Sequence, residues 1–455
     1  MGTVQSKPRG QTFDHVAELV AQYFDSDGGE LVVGGLGVRG IAARHGTPLF
    51  IYDQETLGKP LRALRDALTD RFDVFYSVKA NPNQALLRYF VSQGCGLEIA
   101  SSGELHQALA AGCPAERIFF AGPGKTEPEL AAALEQGVGE IHVESLREAR
   151  RISTLAEQRG QPAHVALRIN PSAEVEGGGM RMGGRPAVFG IDEDQLDAVL
   201  DEIADDSWLR IVGIHMFVGT QILDHAILLE QYRAALDLAR KVSARLNRPL
   251  ETIDFGGGLG VPYFAHERAL ELAQLKQGMA GLLRDVAADP VLSSTRLVVE
   301  PGRFLVAPAG LYVAAVTDIK ESRGKKFIVV DGGMHHHLAA SGNLGQTIKR
   351  NYPVAVVTRL DQPSTDVVDV VGPLCTPLDV LARGIELPAV EEGDLIGIFQ
   401  SGAYARAASP LGFLSRLSPP EVLVERGSDI LIRSRGTEQD YLVDQVSANS
   451  TVPTS

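Results

Sequence analysis

An alternation constrains this chain more than any single motif does. Eight short apolar or β-branched runs, at 73–78, 96–100, 117–121, 140–143, 165–170, 211–217, 252–255 and 296–299, are mostly separated by segments of helical period. The intervening segments include 126–136, 145–158, 192–204, 223–246 and 269–287. In the first of them Thr126 stands at the N-cap and Gly137 just past the end, residue types that helix ends favour. Strands joined through helices lie parallel, because the crossover returns the chain to the same end of the sheet. Eight such units predict a closed (β/α)8 barrel, with an open doubly wound sheet as the alternative.

Past residue 300 the texture changes. The runs 311–319, 326–330, 354–360, 364–371, 394–399 and 422–426 are short and β-branched, with turn residues between them and no long helical period. They predict an all-β C-terminal domain, joined by the β-rich N-terminal stretches 31–38 and 48–52. The expected division is an N-terminal segment of the β-domain at 1–45, the barrel at 46–305, the C-terminal β-domain at 306–435 and a polar, frayed tail at 436–455. Residues 1–12 read as disordered and 16–23 as a short amphipathic helix.

Charge and cysteine usage narrow the function. A net charge of −14 with no basic run argues against nucleic acid or an anionic membrane as partner. The three cysteines, Cys95, Cys113 and Cys375, are too far apart for a metal motif or a disulfide framework, as expected of a chain in the reducing cytoplasm. No apolar run approaches a membrane span and no signal-type segment opens the chain. Met1 to Ser6 fits a myristoylation pattern short enough to match by chance.

In a barrel, chemistry gathers at the C-terminal ends of the strands. Here the first strand ends in Phe75-Tyr76-Ser77-Val78-Lys79, followed by an Asn-Pro turn. A buried ammonium is costly unless something claims it, and an aldehyde cofactor held as a Schiff base is one such claimant. A lysine reaching out of the sheet edge to solvent suits the same stretch equally well. The fifth strand carries Arg168, the sixth runs into His215-Met216-Phe217-Val218-Gly219-Thr220, and the seventh ends in Asp254-Phe255-Gly256-Gly257-Gly258-Leu259-Gly260. The eighth ends in Glu300-Pro301-Gly302-Arg303. Consecutive glycines let backbone amides face an anion, and an arginine beside them adds a forked donor. Together these predict a phosphate site, although tight turns alone also need glycine. Glu300 beside a pyridine nitrogen would keep that nitrogen protonated. His215 or Phe217 would lie against the ring, or else serve as ordinary core.

Lys79 in its Tyr76-Ser77-Val78-Lys79-Ala80-Asn81 setting, the glycine loop and the Glu-Pro-Gly-Arg turn resemble the fold-type III decarboxylases dependent on pyridoxal 5'-phosphate (PLP), which include the diaminopimelate, ornithine and arginine decarboxylases. The resemblance spans roughly residues 45 to 430. It implies a PLP-binding barrel with a C-terminal β-domain, in a head-to-tail homodimer whose active sites are shared. By position it implies Lys79 as the Schiff-base lysine and Glu300 at the pyridinium. Thr220, Gly257 and Gly258 would hold the phosphate, with Arg303 and Tyr404 beside it, and Glu98 and Arg168 would stand around the cofactor. Cys375, in Gly372-Pro373-Leu374-Cys375-Thr376-Pro377-Leu378-Asp379, matches the cysteine through which the partner subunit returns a proton to Cα; a small buried hydrophobe is the alternative, and the surrounding pattern favours the catalytic role.

The sequence also departs from that family. Phe217 stands where diaminopimelate decarboxylases usually show a second histidine; it keeps an aromatic face and loses the ring proton. Thr376 follows Cys375 where lysine- and ornithine-forming members place an acid for the distal ammonium, and an ammonium there would be poorly paired at a cost of roughly 3–5 kcal/mol. The family's arginine-proline motif is replaced by Asp331-Gly332-Gly333-Met334-His335-His336-His337, with Arg350 and Tyr352 downstream as candidate substrate contacts alongside Arg303, Asp331 and Thr376. No metal site is expected, since consecutive histidines rarely converge on one ion. These stretches are similar to a secondary-metabolism branch that includes a decarboxylase of carrier-protein-linked glutamate. The substrate is therefore expected to be an L- or D-α-amino acid, free or tethered to a carrier protein. A lysine-forming diaminopimelate decarboxylase, an amino-acid racemase and a non-catalytic regulatory homologue are the alternatives. The glycine-rich stretch 176–184 reads equally as a lid or a surface loop.

Overall fold

The computed structural model describes residues 14–172, 180–181, 186–217, 219–346 and 348–446. The expectations for residues 1–12 and for the end of the tail lie outside the described residues. Of the stretch 176–184 only the Met180–Arg181 backbone is described, paired antiparallel with Gly219–Thr220.

The eight expected strands form one closed parallel ring: β1 (Phe72–Ser77), β2 (Gly96–Ile99), β3 (Ile118–Phe120), β4 (Glu140–Val143), β5 (Ala163–Asn170), β6 (Leu209–His215), β7 (Thr252–Asp254) and β8 (Arg296–Val299). β8 pairs with β1 in the register Leu297 to Phe72, which closes the ring and excludes the open sheet. Phe75, Phe119 and Val298 plug the lower part, with the two phenyl rings stacked at 4.0 Å. Gly96 makes room for them, since a Cβ there would lie 2.4 Å from the Phe75 ring. At the start of β1, Asp73 takes two hydrogen bonds from Arg117 and one at 3.0 Å from Arg296 Nε, tying three strands together.

The helices follow their caps. Thr126 and Glu129 form a capping box at Glu127–Gln136, and Gly137 ends that helix at φ 72°. Ser145 accepts from the Glu148 amide to start Leu146–Arg159, which buries Ala149, Ile152, Leu155 and Ala156 along one face. The segment 192–204 divides into a 3-10 turn, Glu193–Gln195, and the helix Leu196–Ile203.

The second sheet runs in the order Val380–Leu387, Asp366–Val371, Lys325–Val330, Gly310–Ser322, Leu49–Asp53, Glu421–Glu425 and Ser428–Arg433, with Val354–Val356 and Leu395–Ile398 off that path. Leu49–Asp53, fully buried, pairs antiparallel with Gly310–Ser322 and parallel with Glu421–Glu425. The barrel therefore begins with the helix Gln54–Leu68 rather than at residue 46. The four successive apolar residues Leu49 to Tyr52 suit an inner strand of either sheet, so the boundary was not visible in them. Val380–Leu387 and Ser428–Arg433 were not picked out either; they are the outer strands of the sheet, and neither shows a clean alternation of buried and exposed residues. Within the expected tail, Glu438–Tyr441 forms a 3-10 turn. Among the described residues no helix is long and apolar enough to cross a membrane.

Candidate active site

At its C-terminal end β1 passes into the 3-10 turn Val78–Ala80, which carries Lys79. The second domain fixes this turn: Tyr404 donates its amide to Ala80 O at 2.8 Å, and Asn81 Nδ2 donates to Gly402 O at 2.9 Å. Tyr404 does so at φ 53°, a strained conformation of the kind that clusters at functional sites. Lys79 Nζ lies 3.0 Å from both oxygens of Glu98, at the end of β2, and Glu98 also accepts from the Ser77 hydroxyl. Glu98 is 1% exposed while the Lys79 side chain is 48% exposed. The ammonium is thus ringed by protein and open from above, where a ligand can reach it. Burial alone would lower its pKa, but the charges of Glu98, Tyr404 and Glu300 raise it above the ordinary lysine value.

The glycine loop sits beside this amine. Gly256 and Gly258 have φ of 64° and 94°. A Cβ on Gly257 would lie 2.4 Å from Glu300 O, and one on Gly258 2.8 Å from Gly219 O. Ile222 N donates to Gly258 O and Gly260 N to Ile222 O, both at 2.9 Å, which stitches the Gly219–Thr220 turn to the loop. Phe217 lies over Gly256, whose Cβ would meet the phenylalanine side chain at 3.0 Å. Gly302 packs onto the Lys79 turn, since a Cβ there would lie 3.0 Å from both Ala80 Cβ and Ser77 Cβ. The next residue, Arg303, holds its guanidinium over the rings of Tyr404 at 4.8 Å and Tyr263 at 5.5 Å. Among the described residues Arg303 makes no ion pair, and its buried Nε has no hydrogen-bond partner. Its Nη1 donates to the Tyr263 hydroxyl at 3.4 Å, and a partly desolvated guanidinium with no carboxylate partner beside a glycine loop suits an anion.

Below the mouth lie the buried ionisable groups. Glu300 Oε2 is 3.4 Å from His215 Nε2, and Glu300 Oε1 has no partner. His215 and His142 pack ring against ring at 4.4 Å. Burial, with Arg168 adding repulsion, pushes the His215 pKa down to about 3, so the imidazole is neutral. Arg168 pairs with Glu144 at 2.6 Å, and Glu144 also accepts the amides of Gly122 and Gly190.

These residues fit the group the family would place among them. Lys79 offers an amine to an aldehyde, the partnerless Glu300 Oε1 suits a ring N–H, and Arg303 with the Cβ-free loop suits a phosphate. The fold thereby gathers Lys79, Glu98, Thr220, Gly257, Gly258, Glu300, Arg303 and Tyr404 at one end of the barrel.

Other candidates stand apart. Cys375 is exposed, and no hydrogen bond or ion pair among the described residues joins its loop to the Lys79 group. Asp379 braces the loop by accepting the amides of Met334 at 2.6 Å and Leu374 at 2.8 Å. Thr376 accepts the Leu378 amide at 3.3 Å and offers no charge. Asp331 accepts from the Thr47 hydroxyl at 2.5 Å and the Ala315 amide at 2.9 Å, so both its oxygens serve the sheet. Tyr352 stacks on Tyr263 at 4.5 Å, next to Arg303, and Arg350 contacts His266 at 2.6 Å. In the histidine triplet, His337 Nδ1 accepts the Ala340 amide, so its Nε2–H donates to Ser401 Oγ at 3.0 Å. His336 bonds Tyr312 and Leu417 O, which makes these two rings structural. Sequence reasoning passed over Glu140, His142, Glu144, Asp254 and Tyr263. The polar residues at alternate positions of β4 were a usable signal, because one face of a barrel strand points inward.

Residues 55–307 match the family described as pyridoxal-dependent decarboxylase, pyridoxal binding domain. Among similar proteins is the L-glutamyl-[BtrI acyl-carrier protein] decarboxylase of Niallia circulans, 38% identical over 416 residues, which cover 91% of this chain and 97% of that one. The diaminopimelate decarboxylase of Methanothermobacter thermautotrophicus is 34% identical over 429 residues, covering 92% and 96%. The crystal structure of diaminopimelate decarboxylase from M. jannaschii with L-lysine superposes with a TM-score of 0.86 at 27% identity, covering 94% of this chain and 98% of that one.

Proposed function

Because this chain belongs to the pyridoxal-dependent decarboxylases, we propose that it removes the α-carboxylate of a glutamyl group carried on an acyl carrier protein. The chain is a PLP-dependent carboxy-lyase of amino-acid type; the proposal concerns its substrate.

The observation that carries this reading is Thr376. A tethered glutamyl group can lose its α-carboxylate only if the side-chain carboxyl forms the tether, so its distal end is uncharged. Diaminopimelate, ornithine and lysine instead bring a distal ammonium, which needs a carboxylate partner. Thr376 supplies a hydroxyl that is bonded to its own turn, and Asp331 is engaged by Thr47 and Ala315. The similarity to the carrier-protein decarboxylase adds support. So does a groove of about 390 Å³ lined by Arg147, Arg150 and Arg151 against the single acid Glu127, with Arg150 paired to Glu202, on the helix whose N-cap Ser145 follows the mouth residue Glu144. In a chain of net charge −14 this is a local basic surface to which an acidic carrier could dock.

Bound PLP supplies an aldehyde for the substrate amine and a ring that withdraws the electrons of the breaking Cα–carboxylate bond. Lys79 would hold the aldehyde. Arg303, Thr220, Gly257, Gly258 and Tyr404 would bind the phosphate, Glu300 would hydrogen-bond the ring nitrogen, and Phe217 with His215 would supply the wall against the ring. Glu98 and Arg168 keep the mouth polar and ordered. Arg350 and Tyr352 border the substrate's path. Cys375 of the partner subunit returns the proton to Cα in a cytoplasmic homodimer, a role consistent with its exposed, braced loop.

The test is a CO₂-release screen with diaminopimelate, ornithine, arginine, lysine, free glutamate and carrier-linked glutamate. Fastest release from the carrier-linked form is expected. Preference for diaminopimelate would overturn the substrate reading, and enantiomer interconversion without CO₂ would make the chain a racemase.

A further inference from the structure

Beneath the mouth, four buried side chains meet with too few donors between them. His142 on β4, His215 on β6, Asp254 on β7 and Glu300 after β8 each place one polar atom within 4.8 Å of the others. None is more than 5% exposed. Asp254 Oδ1 accepts the Gly256 amide at 2.7 Å, while Oδ2 has no partner and lies 3.8 Å from His142 Nε2. Both nitrogens of each histidine are also without a partner.

Two carboxylates this close and this dry cannot both be ionised, unless a cation or a proton stands between them. The surrounding cations are already engaged. Lys79 is on Glu98, Arg168 on Glu144 and Lys125 on Glu148. The histidines do not supply the charge: burial lowers both, and each is further lowered by a positive or potentially positive neighbour. Glu140, on β4, is a further carboxyl, which burial pushes up to about 7. A proton on one carboxyl of the pair is the arrangement that remains.

We propose that Asp254 is a positioning residue that carries a proton at Oδ2 and donates it to Glu300, so that Glu300 stays negatively charged and aimed at the cofactor ring. Asp254 is the protonated partner because it is completely buried, against 5% exposure for Glu300, which outweighs the preference for the anion that the Gly256 amide gives through Oδ1 and leaves Oδ2 as the oxygen to carry the proton. Burial, then the charge of Glu300, hold its acid well above the ordinary carboxylate range. A neutral carboxylic acid serving as a hydrogen-bond donor in an apolar site has precedent in enzyme chemistry. The consequence for the cofactor rests on the role of Glu300 given above; the location of the proton does not.

The experiment compares the infrared spectra of the full-length protein stripped of PLP, as wild type and as Asp254→Asn, at pH 7. The expected difference is the loss of one protonated-acid carbonyl band in Asp254→Asn, distinct from the band lost in Glu140→Gln. Asp254→Asn keeps a donor toward Glu300, so it should bind PLP within about threefold of wild type. Asp254→Leu, which has none, should bind it roughly tenfold or more weakly. An unchanged acid-carbonyl region in Asp254→Asn would overturn the proposal, as would a stoichiometric metal ion in the purified wild type lost in that variant. If Glu300→Gln leaves PLP affinity and absorbance unchanged while the Asp254 band is present, the role given to Glu300 fails and the proton assignment stands.

Discussion

Gly257→Ala tests how tightly the glycine loop and the Glu300 turn are coupled. The new Cβ would lie 2.4 Å from Glu300 O, whereas real Cβ contacts essentially never fall under 3.0 Å. One of the two backbones must therefore retreat by at least about 0.6 Å. Neither is free to do so. Glu300 N donates to Gly256 O at 2.8 Å, and the next carbonyl, Pro301 O, accepts from Ser77 N at 3.4 Å at the end of β1. Gly257 lacks a positive φ, so the penalty is a collision rather than a twisted backbone. Overpacking of this kind costs roughly 1–3 kcal/mol. Much of that should fall on the bound state, because the displaced atoms belong to the glycine loop and the Glu300 turn, where the cofactor is proposed to bind. The expected result is PLP affinity weaker by about tenfold or more, read by absorbance titration, with a melting temperature lower by a few degrees. Gly124→Ala, with open space around its Cβ, should change neither. Wild-type PLP affinity in Gly257→Ala would refute the coupling.

Two further outcomes follow from named contacts. Glu140 is fully buried, and burial raises its pKa from 4.5 to about 7, so the folded state binds its proton more tightly than the unfolded one. Its stabilising effect is complete below pH 4.5 and lost as pH rises through 7, a swing of roughly 3 kcal/mol. Glu140→Gln should therefore gain stability relative to wild type in urea at pH 8 compared with pH 5, and an equal offset at both would contradict the burial argument. Cys375→Ala should retain PLP while slowing or misdirecting protonation at Cα; unchanged rate and product in deuterated buffer would remove Cys375 from the chemistry.

Much of this molecule was legible because its signals are local. Lys79, the glycine loop and Glu300-Pro301-Gly302-Arg303 fall at strand ends that hydrophobic period alone locates, and all eight barrel strands formed within a few residues of their expected bounds. Thr126 and Gly137 marked a helix because caps act within one turn. The buried carboxyl and imidazole layer was less visible. Asp254 could be read as the lead-in to a turn, and His142 as one of two polar residues in a four-residue strand. Their meaning arises only when ring closure brings β4, β6, β7 and β8 together, a fact carried by no single stretch. Leu49–Asp53 escaped for a related reason: a buried strand records that it is covered, not by which sheet. Cys375 and Thr376 were noticed by pattern, but in the proposed homodimer what their loop faces is set by a second copy of the chain.

The most direct test of the covalent attachment at Lys79 is borohydride reduction of the PLP-loaded protein, followed by peptide mass spectrometry. A single pyridoxyl adduct on the peptide containing Lys79, absent from Lys79→Ala, is the predicted result. An adduct on another lysine, or labelling that persists in Lys79→Ala, would contradict it.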